Sequence, residues 1–434
     1  MFSAVSCSEQ QISSDKERGL STEHAKEFQK EIIKIEDNIY VAIGYALANV
    51  IMIVGDSENV IVDTTGSEEA AKIVKKELNK ISTNPVNNII YTHNHPDHIG
   101  GATIFASSVD ANIYGQENIL YNIDNISTII RPIIYERSAR QFGIPLDKDD
   151  IIHQGIGGFL EINADTTTGL LRPNVTFDKN LNLNINNIQI ELGHVPGETD
   201  DHLYVYLPDK EAVMVGDNFY RSFANLYAIR GTKYRNPMEW VYSLDKIRSL
   251  NAKYLIPSHS RPVVGKDNVY NALTDYRDAI QFVHDQTVRY INKGLLPDEI
   301  AAQIELPSHL RSSPYLQEFY GSISSYVRSI FVGYIGWFNG NITTLHPMSA
   351  EDKAAKMIEL ATKQTDLHEA AQLAVENGEY QWAMELTDSL IALNNEDQKA
   401  KDIKAYAADK FALTQTASND YYFYKTVAGE LRGD

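Results

Sequence analysis

Hydrophobic positions in the first 270 residues follow the pattern of short strands. Apolar runs of four to eight residues, separated by turn signals, extend from Ile32 to about residue 265. The runs IYVAIGY, NVIMIV and VIVDTTG are typical of strands. GSEEAAKIVKKELNKI has the period of an amphipathic helix, and VNNIIYT follows it as another strand. Because a strand–helix–strand order favours parallel pairing, the pattern predicts a mixed sheet with helices.

After about residue 270 the pattern becomes helical. DNVYNALTDYRDAIQFVHDQTVRYINKG has a helical period and ends at Gly294, with Pro297 soon after it. EYQWAMELTDSLIALNN and EDQKAKDIKAYAADKFA predict further helices. The segment AQLAVENGEYQWAMELTDSLIAL resembles one tetratricopeptide-like helical repeat. Because a single repeat cannot bury its apolar face alone, we expect it to pack on other helices or on a second chain.

A length of 434 residues predicts two domains rather than one. We place a tail, disordered or a signal remnant, at 1–28, a catalytic domain at 29–270 and a helical domain at 271–434. The apolar run at residues 40–54 is too short to span a bilayer, so no transmembrane segment is expected. The sequence leaves the compartment open between a cytoplasmic and a periplasmic or secreted location.

Charge and cysteine content narrow the function. The chain has 39 Lys and Arg against 58 Asp and Glu, a formal net charge of -19. This balance argues against a nucleic-acid partner, and a small anionic substrate would need locally placed cations. Cys7 is the single cysteine, which excludes an intramolecular disulfide framework and a cysteine-rich metal site.

The stretch IIYTHNHPDHIGGA concentrates metal-binding side chains directly after an apolar strand. Alternate residues of an extended segment point the same way, so His93 and His95 can bind one ion together. Asp97 and His98, beyond the bend at Pro96, can bind a second ion beside it. Nitrogen and oxygen ligands without thiolates suit zinc, manganese or iron. The two glycines that follow, at 100 and 101, let the backbone pass close to the site.

Three further metal-ligand types end apolar runs later in the chain. His194 lies in LGHVPGETDDH, Asp217 in VMVGDNF and His259 in LIPSHSRP. Each is weak evidence alone, because a histidine at a strand end is usually just exposed. Together with the first cluster, the set of seven predicts a site for two metal ions.

The order His-x-His-x-Asp-His-x-Gly-Gly, Gly-His-x-Pro-Gly, Gly-Asp and a late Ser-His resembles the metallo-β-lactamase superfamily. The resemblance implies an α+β fold, a four-layer αββα sandwich with a dinuclear site at one edge and two zinc ions. It assigns the ligands in three sets: His93, His95 and His194 to one ion, Asp97, His98 and His259 to the other, and Asp217 as a bridge. Among these, His93, His95, Asp97, His98 and Asp217 are also the candidate catalytic residues.

A narrower resemblance, from about residue 30 to 432, is to the alkylsulfatase branch of that superfamily. It rests on YVAIGYALANVIMI, RQFGIPL, NFYRSFANLYAIRGTKYRNPMEWVYSLDKI and FVGYIGWFNGNITTLHPMSAEDKAAKMIEL. It implies hydrolysis of alkyl sulfate esters, to an alcohol and sulfate, by a water activated at the two metals. It also implies a homodimer formed through the helical domain. Members often carry a sterol-carrier-like domain beyond this point, which we expect to be absent.

Two features of this resemblance concern the substrate site. Asn225 and Arg230 in NLYAIR match positions that the family uses to hold sulfate. Alkylsulfatases usually have a glutamate in place of the third histidine, so His194 and Glu198 both remain candidates; the general superfamily pattern favours His194. The alternatives are another hydrolase of this fold, such as a phosphodiesterase or lactamase, and a non-catalytic scaffold that uses the helical domain.

Overall fold

The computed structural model describes residues 19–125, 129–160, 162, 165–340, 345–361 and 366–433. The chain divides into two compact units. The sheet unit comprises His24–Arg137 and Ile152–Tyr334. The helical unit comprises Ser138–Ile151 and the chain from Ile335 onward, together with the described residues before His24.

Within the described residues, the first sheet of the sheet unit has seven strands in sequence order. The first four pair antiparallel, whereas β4 to β7 are parallel. The strands are β1 (Glu31–Glu36), β2 (Ile39–Ile43), β3 (Val50–Val54), β4 (Asn59–Val62), β5 (Val86–Ile90), β6 (Asn112–Gln116) and β7 (Val175–Phe177).

The second sheet has six strands in the same described part of the chain, in the order β13-β12-β11-β10-β9-β8. Only β11 and β12 are parallel; the other neighbours pair antiparallel. The strands are β8 (Asn180–Ile185), β9 (Ile188–His194), β10 (Leu203–Leu207), β11 (Ala212–Met214), β12 (Tyr254–Ile256) and β13 (Val263–Val264).

Helices cover the outer face of each sheet. On the first sheet lie α1 (Glu68–Leu78), α2 (Pro96–Ile99), α3 (Ala102–Phe105) and α4 (Ile119–Asp124). On the second lie α6 (Pro237–Ser249), α7 (Lys266–Ile291), α8 (Pro297–Ala301), α9 (Ser308–Arg311) and α10 (Ile323–Ile335). A separate helix, α5 (Arg131–Gln141), runs from one unit into the other. The four layers confirm the predicted αββα sandwich.

The strand β3 shows why the predicted apolar runs are continuous. Ile51 and Ile53 pack between the two sheets, whereas Val50 and Met52 pack against the helices on the other face. All four side chains are buried. A strand that is covered on both faces needs apolar residues at every position rather than at every second one.

The helical unit is built from small residues. Its helices are α11 (Ala350–Ala361), α12 (Leu367–Glu376), α13 (Tyr380–Leu393), α14 (Gln398–Ala412) and α15 (Ser418–Arg432). Ala383 of α13 packs with Ala405 and Ala408 of α14 and with Ala428 of α15. The predicted repeat is therefore present as α12 and α13, and it packs on other helices of its own chain.

The predicted domain boundaries differ from the compact units. Val269 and Tyr276 of α7 share a core with Leu255 of β12, so the sheet unit continues past residue 270 to Tyr334. A helical period does not reveal which core a helix joins. Within the range expected to be a tail, His24 and Phe28 are buried. No helix of the described residues is both long and apolar enough to cross a membrane.

Asp397 caps α14 and should make the helical unit sensitive to acid. Its carboxylate accepts hydrogen bonds from the Ala400 N–H at 3.0 Å and from His368 Nε2 at 2.9 Å. Burial raises the pKa of Asp397, but these donors outweigh burial and leave the pKa below its ordinary value. A group with a lowered folded pKa stabilises the fold above its unfolded pKa, about 3.9, and loses that effect as the pH falls through the folded pKa.

We therefore expect Asp397→Ala to lower the free energy of unfolding by about 1 kcal/mol at pH 7. The difference from wild type should shrink steadily as the pH falls below about 4. Urea unfolding followed by circular dichroism measures both effects. Asn395→Ala, an exposed change in the preceding turn, is the matched control. An Asp397→Ala protein as stable as the control at pH 7 would contradict this role.

Candidate metal centre

The predicted ligands lie where strands of both sheets end. His93 and His95 follow β5 in the first sheet, and α2 then carries Asp97 and His98. In the second sheet, Glu198 lies between β9 and β10, Asp217 follows β11 and His259 follows β12. The sheet edge therefore brings together side chains that are up to 166 residues apart in the sequence, from His93 to His259.

The first ligand group consists of His93, His95, Glu198 and Asp217, all buried. His93 Nε2 lies 2.9 Å from His95 Nδ1 and 3.7 Å from Glu198 Oε2. His95 Nδ1 lies 3.3 Å from the same carboxylate oxygen. Two imidazole nitrogens and a carboxylate oxygen therefore converge on one point, as the ligands of a tetrahedral ion do.

The second group consists of Asp97, His98 and His259. Asp97 Oδ2 lies 3.3 Å from His98 Nε2 and 3.5 Å from His259 Nε2. Asp217 connects the two groups: its Oδ1 lies 3.4 Å from His98 Nε2, and its Oδ2 lies 3.1 Å from His259 Nε2 and 3.9 Å from His93 Nε2. This is the position that a bridging carboxylate needs.

Hydrogen bonds to the second nitrogen of three rings orient them toward the site. His98 Nδ1 lies 2.8 Å from Asp63 Oδ2, and His259 Nδ1 lies 2.9 Å from the Leu47 carbonyl oxygen. His93 Nδ1 lies 3.1 Å from Thr92 Oγ1. Because these contacts occupy Nδ1, they leave the lone pair of Nε2 available to a metal.

Asp63 is a supporting residue that the sequence reasoning missed. Its carboxylate accepts hydrogen bonds from the Thr92 N–H and hydroxyl, both at 2.9 Å, and from the Ser258 hydroxyl at 2.6 Å, in addition to His98. It therefore ties the loop after β5 to the loop after β12. The signal was present, because Asp63 ends the apolar run VIVD as the predicted ligands end theirs.

His202 is a second residue that was missed. It is buried, its ring stacks on His93 with centroids 4.6 Å apart, and its Nε2 accepts the Asp217 N–H at 3.0 Å. Burial lowers the pKa of His202 to about 4, so the ring is neutral and can accept that bond. His202 supports two members of the first group without joining it.

The donor atoms fit a metal ion. Among the described residues, His98 Nε2, Glu198 Oε2 and Asp217 Oδ1 are buried without a hydrogen-bond partner. Burial raises the pKa of Asp217, but His259, His98 and His93 outweigh it and hold the pKa well below its usual range. Buried polar atoms are costly to leave unpaired, and a cation would satisfy all three.

The structure places the side chains of His194 and Glu198, the two alternative ligands, in different surroundings. His194 is the last residue of β9, and its Nε2 contacts the Asp200 carbonyl oxygen at 2.8 Å, away from the ligand groups. Glu198 lies on the loop beyond it and reaches His93 and His95. His194 is still paired in the sheet, opposite Leu203 of β10, whereas Glu198 lies beyond the Pro-Gly turn and reaches the site.

A pocket opens beside the first ligand group. His95, Glu198, Arg230 and Arg235 line it. Arg235 is buried, and its Nη1 donates to Glu198 Oε1 at 2.6 Å. Asn225, which the sequence analysis predicts to hold sulfate, donates from Nδ2 to the same oxygen at 3.3 Å. Arg235, the second arginine of RGTKYRNP, was missed because no sequence signal separates it from a surface residue.

Arg230 is half-buried on the pocket wall, and its Nη1 donates to the Gly231 carbonyl oxygen at 3.0 Å. Burial, together with the nearby Arg235, lowers the pKa of Arg230. Two guanidinium groups thus lie close together in a chain of strongly negative net charge. The pocket has the local cations that the sequence analysis required for an anionic substrate.

Two family profiles match the chain. One, described as alkyl sulfatase dimerisation, covers residues 296–434. The other, the metallo-beta-lactamase superfamily, covers residues 44–259 and therefore all seven residues of the two ligand groups. The order of the two matches follows the predicted order of a catalytic domain and a helical dimerisation domain.

Curated relatives and solved structures agree with these profiles. A linear primary-alkylsulfatase of Pseudomonas sp. (strain ATCC 19151) is 37% identical over 383 residues, which cover 86% of this chain and 72% of the relative. The alkyl/aryl-sulfatase BDS1 of Saccharomyces cerevisiae is 26% identical, over 92% of this chain and 64% of its own length.

A solved structure shows the same fold. The stereoselective inverting sec-alkylsulfatase Pisa1 from Pseudomonas sp. superposes with a TM-score of 0.87 at 24% identity, over 93% of this chain and 66% of that one. At this identity the likeness concerns the fold alone. The identity to the linear primary-alkylsulfatase extends over most of both chains, and the chain therefore belongs to the alkylsulfatase family of the metallo-β-lactamase superfamily.

Proposed function

We propose that this protein hydrolyses alkyl sulfate esters to an alcohol and sulfate at a site for two zinc ions. The observation that carries the proposal is the junction of two features in one pocket. His95 and Glu198 of the first ligand group share its wall with Arg230 and Arg235. A cationic wall beside a metal site suits an ester that is already anionic.

Each ligand group would hold one of the two ions. His93, His95 and Glu198 would hold the first ion, and Asp97, His98 and His259 the second, with Asp217 shared. When bound, two adjacent cations lower the pKa of a water and stabilise negative charge that develops in the transition state. The chain's own residues orient the ligands: Asp63 and Leu47 fix the rings of the second group, and His202 supports Asp217.

Arg235 connects the first ligand group to the substrate pocket. One of its nitrogens, Nη1, is bound to Glu198 and to the carbonyl oxygen of Asn225. Its Nε and Nη2 are buried without a hydrogen-bond partner. Guanidinium donors suit the tetrahedral oxygens of a sulfate group, which would satisfy these two atoms. Arg230 on the same wall supplies a second positive charge.

The chain from α10 onward supports the proposed homodimer. It carries exposed large apolar side chains, among them Val332 and Tyr334 on α10 and Trp337 just after it. These residues lie inside the segment that matches the alkyl sulfatase dimerisation family. Exposed apolar side chains in such a segment are expected to be covered by the second subunit.

A panel of four substrate classes tests the proposed function. We expect protein reconstituted with zinc to contain about two ions per chain, and to hydrolyse alkyl sulfates with a higher kcat/KM than aryl sulfates, phosphodiesters or β-lactams. A chelator should abolish turnover, and zinc should restore it. Asp217→Ala should weaken the binding of both ions, because its carboxylate contacts both groups. Preferred turnover of a phosphodiester or a β-lactam would overturn the assignment.

Arg230 tests the recognition of sulfate. Loss of a charge-assisted hydrogen bond costs about 1.5–3 kcal/mol, roughly tenfold to a few hundredfold in kcat/KM. We expect Arg230→Ala to lose that much alkyl sulfate hydrolysis with both ions retained, and Arg230→Lys to recover only part of it. Arg172→Ala, which removes an exposed arginine paired with Asp124, is the matched control. Full activity in both Arg230 variants would contradict the proposed contact.

Light scattering tests the oligomeric state. We expect the purified protein to have twice the mass of one chain at micromolar concentration. Replacing both Val332 and Trp337 by serine should shift the protein toward monomers, because it removes apolar area from the proposed contact. Tyr242→Ser, an exposed aromatic residue of α6 outside the matched segment, is the control for a surface change elsewhere. A monomeric wild-type protein would overturn the proposed homodimer.

A further inference from the structure

Asn218, which follows Asp217, holds the loop that carries Glu198. Its side chain is buried, and its Oδ1 accepts the Glu198 N–H at 3.2 Å while its Nδ2 donates to the Val195 carbonyl oxygen at 2.7 Å. A Cβ at Gly197 would clash with this amide, so the glycine makes the close approach possible. Asn218 therefore grips the loop on both sides of the Pro-Gly turn.

Asn49, on the loop between β2 and β3, does the same for His259. It is buried, and its Nδ2 donates to the carbonyl oxygens of Pro257 at 3.2 Å and Ser260 at 2.9 Å. Its backbone N–H donates to the Ser258 carbonyl oxygen at 2.7 Å. The side-chain amide thus binds backbone carbonyl oxygens on both sides of His259.

The backbone held by Asn49 needs such support. Ser260 has a φ of 62°, a left-handed conformation that residues with a side chain rarely adopt. The same loop that carries Asn49 also supplies the Leu47 carbonyl oxygen that binds His259 Nδ1. One loop therefore fixes both the backbone and the ring of this residue.

We propose that Asn218 and Asn49 are positioning residues that act separately, Asn218 on the first ion through Glu198 and Asn49 on the second ion through His259. This inference rests on the proposed metal binding. The Asn218 side chain hydrogen-bonds to the loop that carries Glu198, whereas the Asn49 side chain hydrogen-bonds to the loop that carries His259. Each should therefore affect the affinity of one ion and leave the other unchanged.

The experiment isolates the two ions. His95→Ala removes a ligand of the first ion and leaves the second, and Asp97→Ala removes a ligand of the second and leaves the first. Asn218→Ala and Asn49→Ala are then each introduced into both single-ion backgrounds. The zinc Kd of each protein is measured by competition with a chelator, so the readout does not depend on activity.

The expected result is a crossed pattern. In the Asp97→Ala background, Asn218→Ala should weaken zinc binding about 10–100-fold and Asn49→Ala by less than about threefold. In the His95→Ala background, the two effects should be reversed. A general loss of stability would weaken the binding of both ions together, so it cannot produce this reversal. Equal effects of each asparagine on both ions, or no effect on either, would overturn the inference.

Two conservative variants cover the case in which an alanine variant does not fold. Ser243→Ala removes a 2.6 Å hydrogen bond to the Pro196 carbonyl oxygen of the Glu198 loop, and Asn49→Ser shortens the second amide. Each must show the same preference for one ion, and absence of that preference counts against the inference. If the unmodified protein and both single-ion backgrounds bind no zinc, the proposed function itself fails, which is a different outcome.

Discussion

The rest of the site depends on the contacts between the Asp217 carboxylate and the histidines of both ligand groups. The carboxylate is buried, and one of its oxygens faces the second ligand group while the other faces both groups. A buried carboxylate is unstable without positive charge or hydrogen-bond donors beside it. The histidines around it, and the ions that they can hold, supply that compensation. The loops after β5, β11 and β12 must therefore meet at one point for the fold to carry this charge.

The contact between the short helix α2 and the loop after β4 depends on glycine. A Cβ at Gly100 would clash with the backbone of Gly66, and one at Gly101 would clash with the Thr64 carbonyl oxygen. The backbone N–H of Gly100 instead donates to the Thr65 carbonyl oxygen at 2.8 Å. The short helix that carries Asp97 and His98 is thus pressed against the loop after β4, where Asp63 binds the His98 ring.

The sequence predicted the features that depend on local pattern. Apolar runs predicted the strands of the sandwich, and the density of ligand types after β5 predicted four residues that the structure places in the two ligand groups. The choice between His194 and Glu198 could not be made this way, because it depends on how the Pro-Gly turn packs against Asn218. Asp63 was missed although it ends the apolar run VIVD, and His202 and Arg235 were missed because no local pattern shows that they contact ligand residues. The predicted boundary at 270 differs from the limit of the compact unit because α7 joins the core of the second sheet, a tertiary contact.

The presence of Glu198 rather than His194 in the first ligand group changes the charge of that group, and a neighbouring residue compensates for the change. A glutamate in place of a neutral histidine adds one negative charge to the first ligand group. Arg235, buried 2.6 Å from Glu198 Oε1, adds one positive charge beside it. Glu198 thereby keeps Oε2 directed at His93 and His95, since Arg235 and Asn225 occupy the other oxygen. The same guanidinium faces the pocket, so the residue that balances the ligand charge also contributes to the cationic wall beside the metal site.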